Sequence, residues 1–76
     1  MNTNQPTVNA QHEQERLEGL LARRLGSRIR NLRLVVQPAG VVLHGFSETY
    51  HAKQIAQHAL MEFSQAPILA NEIEVK

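Results

Sequence analysis

Two β-branched apolar runs bracket a proline-glycine reversal in residues 32–45: Leu-Arg-Leu-Val-Val-Gln, then Pro38-Ala39-Gly40, then Val-Val-Leu-His-Gly. Apolar residues in extended runs on either side of turn formers are the pattern of a β-hairpin. After Gly45 the apolar period lengthens from two residues to between three and four, so a helix has to follow the hairpin. One hairpin and one long helix therefore form the scaffold around which the other segments must arrange.

Within the first strand, expected over residues 31–37, alternation places Leu32, Leu34 and Val36 on the core face and Arg33, Val35 and Gln37 on the other. Pro38 cannot donate to a ladder and Gly40 tolerates positive φ, so the chain reverses there. It re-enters as a second strand over residues 41–46, with Val41 and Leu43 inward and Val42 and His44 outward. Three consecutive apolar residues suit a central strand. Ser47 is a good N-cap, Glu48 falls in the first turn, and Ala52, Ile55, Ala56, Ala59, Leu60 and Phe63 make an unbroken helical stripe. Its small alanines let the helix axis lie close to the sheet. Residues 64–67 break that helix, and residues 68–75 return as a strand with Leu69, Ile73 and Val75 inward and Glu72 and Glu74 outward.

Upstream, Leu17, Leu20, Leu21 and Leu25 predict a first helix over about 13–25, with acids in its first turn, arginines in its last and Gly26 as its stop. Gly19 inside it marks a place for close approach to another element. Residues 1–11 are polar and aperiodic and are expected to form a disordered tail, leaving residues 12–76 as a single domain. About sixty residues bury little surface. The chain has no cysteine and no metal-spaced ligand set, so packed apolar faces or self-association must stabilise it.

The expectation is an α+β fold of α-β-β-α-β order, both helices packed on one face of a three-stranded mixed sheet with the second strand central. A right-handed crossover through the long helix returns the third strand parallel to the second.

At this level of detail the chain resembles the BON domain family, named for bacterial osmotically inducible proteins and nodulation. The resemblance spans residues 13–76 and rests on an apolar strand, a glycine turn, Val41-x-Leu43-x-Gly45, a helix with Ala56 deep in its stripe, and the ending Leu69-Ala70-Asn71-Glu72-Ile73-Glu74-Val75. Gln65-Ala66 stands where the family usually has a Gly-Val pair. The resemblance implies two helices on a mixed sheet, no catalytic constellation, and binding of phospholipid, other envelope components or protein. Gly40, Gly45, Ala56 and Asn71 are its structural residues. Asn71, at an inward parity, is expected to hydrogen-bond buried backbone.

No arrangement of nucleophile, base and orienting acid can be assembled, so an enzyme is not expected. His51 and His58 are too far apart along a helix to share a metal ion unaided, and neither metal nor cofactor is expected. Gly40 and Gly45 lack the context of a phosphate loop, and the basic segment carries no aromatic on which bases could stack, which disfavours nucleic acid. Net charge is +1, but Arg23, Arg24, Arg28, Arg30 and Arg33 fall within eleven residues that contain no acid. They are either helix-terminal charge on a solvated connector or a site for an anionic phospholipid surface. Two functions stay open: peripheral binding of phospholipid or another anionic envelope component through these arginines, and protein interaction through the uncovered sheet face. The second involves Val35, Val42, His44 and Ala70, with a homodimer or an adjoining protein as the partner. Absence of a basic-then-apolar leader points to a cytoplasmic or peripheral membrane location, periplasmic only if a leader has been removed, and no window is long and apolar enough to cross a bilayer.

Overall fold

The computed structural model describes the backbone of residues 6–76 and the side chains of residues 12–76. Helix α1 (Pro6–Leu25) leads through a 3-10 turn (Gly26–Arg28) into strand β1 (Ile29–Gln37), followed by β2 (Gly40–Ser47), helix α2 (Tyr50–Phe63) and β3 (Ile68–Val75). The sheet order is β1-β2-β3, with β1 antiparallel and β3 parallel to β2. Connection length explains this: the Pro38-Ala39 reversal can only join antiparallel neighbours, whereas the crossover through α2 brings β3 back in the direction of β2. The expected element order, mixed sheet and central second strand are all present.

Both helices cover the same face. Leu17, Leu21 and Leu25 of α1, Ala52, Ala56, Ala59 and Leu60 of α2, and Ile29, Leu34, Val41, Leu43 and Ile73 of the sheet form one buried cluster. The helix stripe read from the sequence is therefore the stripe that is buried, with Ile55 and Phe63 packed at its margin.

Several local expectations are corrected. Helix α1 begins at Pro6, not near residue 13, so the tail expected over residues 1–11 is helical from Pro6 onward; residues 1–5 lie outside the described residues. Proline at the first helical position sacrifices no intrahelical bond. Glu13, Glu15 and Glu18 consequently lie inside the helix and not in its first turn, while Arg23 and Arg24 do occupy the last turn. A Cβ at Gly19 would meet nothing within 4 Å, so that glycine marks no close approach.

Strand β1 starts two residues earlier than expected and carries a bulge between Arg30 and Arg33, where Asn31 adopts φ 56°. The extra residue reverses parity, and this is why odd-numbered Ile29 and even-numbered Leu34 are both buried. Gly45 lies beneath this bulge: a Cβ there would stand 2.9 Å from Ile29 Cγ2 and 3.1 Å from the Arg30 carbonyl oxygen. The collision that excludes a side chain is with β1, and the φ of 154° is itself one that a side chain strains to adopt. At Gly40 the obstacle is the Pro67 carbonyl oxygen, just before β3, with Leu69 Cγ 2.9 Å from where a Cβ would stand.

The N-cap of α2 is Thr49, whose hydroxyl accepts from the Ala52 amide at 3.0 Å, and not Ser47. Ser47 is a buried strand residue that pairs with Val75 and donates its hydroxyl to the Thr49 carbonyl at 2.9 Å. On β3, Ile73 is inward as expected, but Leu69 and Val75 are 44% and 43% exposed. A register shift between Val41 and Val42 leaves Leu69 unpaired in the ladder, and Val75 lies at the sheet's end beyond the helices' cover.

Candidate functional site

The face of the sheet away from the helices is built from cross-strand rows. Antiparallel pairing of β1 with β2 sets Val35 opposite Val42, and parallel pairing of β2 with β3 sets Val42 beside Ala70, so the three apolar interface candidates form one continuous row. All three are partly exposed. The next row is Arg33, His44 and Glu72, and the one beyond it Arg30, Phe46 and Glu74. Each polar row thus has a cation on β1 and an acid on β3. The Lys76 ammonium stands 4.6 Å from the centre of the Phe46 ring and 3.8 Å from Glu74, so Lys76 lies over part of the third row.

The five arginines are not gathered into one site. Arg24 pairs with Glu62 at 2.9 Å and lies 5.1 Å from the centre of the Phe63 ring, which ties the end of α1 to α2. Arg28 and Arg30 line an open cleft of about 480 Å³ with Ser27, Glu48, Thr49 and Ala52. Arg33 is on the uncovered face, and Arg23 is exposed on α1. Among the described residues, Arg24 alone of the five has an ion-pair partner.

Asn71 has the structural position expected of it. Its Nδ2 donates to the Lys53 carbonyl at 3.1 Å and to Gln57 Oε1 at 3.2 Å, and its Oδ1 accepts from the Ile73 amide at 3.2 Å. It fastens α2 to β3. His12, His51 and His58 are exposed, and among the described residues no three histidines, cysteines or acids come together in a way that could hold a metal ion. No described helix is long and apolar enough to cross a membrane.

Sequence reading missed Phe46, the alignment of Glu72 and Glu74 with β1, and the roles of Glu18 and Gln14. Phe46 belongs to the uncovered face by simple alternation. Glu72 and Glu74 were assigned outward, but their registration opposite Arg33 and Arg30 needed the strand pairing. Glu18 and Gln14 carry no signal in the helical pattern, yet Glu18 accepts from the Leu34 amide at 2.8 Å and Gln14 from the Val36 amide at 3.3 Å. These two side chains satisfy the outer edge of β1, a row of donors that would otherwise invite another strand.

Fold and surface together define a two-layer α+β module with one helix-free sheet face. No family model matches the chain, and no curated protein or solved structure matches it either.

Proposed function

We propose that this chain is a non-catalytic binding module, BON-like in layout, that engages another protein through the sheet face its helices leave uncovered. What carries the reading is the lateral row of Val35, Val42 and Ala70 beside rows of ordered charge. Apolar groups at the middle of a patch with polar neighbours are the anatomy of an interface. A photo-crosslinking residue at position 42 in the full chain tests it, with exposed Gln54 on α2 as control. Adducts from position 42 and not from 54 are expected; none from position 42 would remove the assignment.

A second reading is peripheral binding of anionic phospholipid by Arg23, Arg28, Arg30 and Arg33. It is supported by the cleft that Arg28 and Arg30 share. Basic side chains near an anionic surface contribute about 1 kcal/mol each and need no fixed geometry. Co-sedimentation with anionic but not neutral vesicles, lost at high salt and in the Arg23→Glu/Arg28→Glu variant, is its signature. Equal pelleting of variant and wild type would dismiss it.

A further inference from the structure

We infer that the partner on the uncovered face is a second copy of this chain, docked about a two-fold axis parallel to the strands. The inference rests on the protein-interaction reading above and adds the occupant and its orientation. Two copies of one sheet face can be stacked by a two-fold axis lying between them either along the strands or across them. An axis across the strands sets β1 against β1 and reverses the order of the rows, so with the axis between the two polar rows Arg33 meets the other copy's Arg30 and Glu72 its Glu74. An axis along the strands sets β1 of one copy over β3 of the other and keeps each row opposite itself. Arg33 then faces the partner's Glu72, and Arg30 faces the partner's Glu74, because those residues share rows within each copy. The row of Val35, Val42 and Ala70 meets its own reverse, apolar on apolar, with Val42 and His44 opposite their own copies at the axis. Charges of opposite sign therefore meet only with the axis along the strands; an axis across them either opposes like charges or, centred on the apolar row, leaves the polar rows without their opposites.

Area sets the strength. Three strands about 4.8 Å apart and six or seven residues long present roughly 300 Å² per copy. A standard stable complex buries about 800 Å² per partner. Association is consequently weak and concentration-dependent, and Lys76, stacked on Phe46, keeps the third row at the rim. Charge pairing then decides orientation more than affinity, and salt should weaken it.

The test is a charge exchange in the full chain, read by sedimentation equilibrium up to millimolar concentration, with circular dichroism confirming that each variant folds. Arg33→Glu alone and Glu72→Arg alone each set like charges together at both ends of the contact, and each should weaken dimerisation by about tenfold or more. Mixing the two single variants pairs opposite charges at both ends of the heterodimer, so the mixture should associate to within a few-fold of wild type, as should the Arg33→Glu/Glu72→Arg double variant. Amide resonances of Val35, Val42, His44 and Ala70 should shift on dilution of the wild type while those on the outer side of α2 stay fixed, a readout that needs no variant. A wild-type dimer whose single variants fail to restore one another overturns the inference, and so does a wild type that pairs with the Arg33→Glu/Glu72→Arg double variant more tightly than with itself: the axis along the strands sets like charges together at both ends of that mixture, the crosswise axis opposite ones. A wild type that is monomeric throughout also overturns it. In that case, position-42 adducts of another mass would retain the interaction reading, and their absence would end both.

Discussion

Gly45 and Gly19 are opposite cases of the same residue. At Gly45 the bulge of β1 leaves no room for a methyl group, and φ is 154°, so Gly45→Ala combines overpacking with backbone strain. A loss of about 2–4 kcal/mol in denaturant unfolding is expected, a large share of the stability of so small a domain. Gly19 has open space around it inside a helix, and Gly19→Ala should raise stability by about 0.5–1 kcal/mol in the same measurement. That Gly45 is structural was legible in its place at the end of Val41-x-Leu43. Its neighbour was not, because the obstacle exists only through Asn31 in the left-handed region, a conformation asparagine tolerates but does not announce.

Each helix and strand was recognisable by its period, whereas the boundaries were decided by pairing. Ser47, the cap expected from the sequence, is taken by the sheet, where it pairs with Val75 and its carbonyl accepts from the Lys76 amide at 2.9 Å, so the cap falls to Thr49. The edge of β1 shows how one element completes another. Glu18→Ala should strand the Leu34 amide in a partly buried position and cost about 1–2 kcal/mol. Glu18→Gln, which keeps an acceptor, should lose less, and hydrogen exchange at Leu34 should accelerate in the alanine variant and not in the glutamine one. Equal exchange rates in both would show that water replaces the carboxylate at no cost. Helical periodicity cannot signal this role, since a side chain that reaches a strand edge sits on a helix flank that reads as polar surface.

For the whole molecule the decisive contact is the close approach of α2 to the sheet. Ala56 is fully buried between them, and Ala56→Glu would bury an unpaired carboxylate at a cost of several kcal/mol, enough to unfold the chain. Loss of the cooperative melting transition is expected; an unchanged transition would contradict the packing. Arg24 adds an exposed ion pair and a ring contact between the helices, of which the ion pair is worth only about 0–1 kcal/mol. Hence Arg24→Ala should leave the fold intact, and the arginine run divides into one fastening residue and four with no ion-pair partner among the described residues.

The sequence by itself determined the element types, their order, the inward stripe of α2 and the alternation of the hairpin, because these depend on periods of two and 3.6 that any window of the chain carries. It also placed Val35, Val42 and Ala70 on the uncovered face, while their standing in one row waited on the register. Tertiary structure alone decided the bulge and hence the burial of Ile29, the exposure of Leu69 and Val75, the capture of β1's edge by Glu18 and Gln14, and the alignment of Arg33 with Glu72 and Arg30 with Glu74. Register is a relation between segments, fixed by how two strands and a helix fit together, and no single segment contains it.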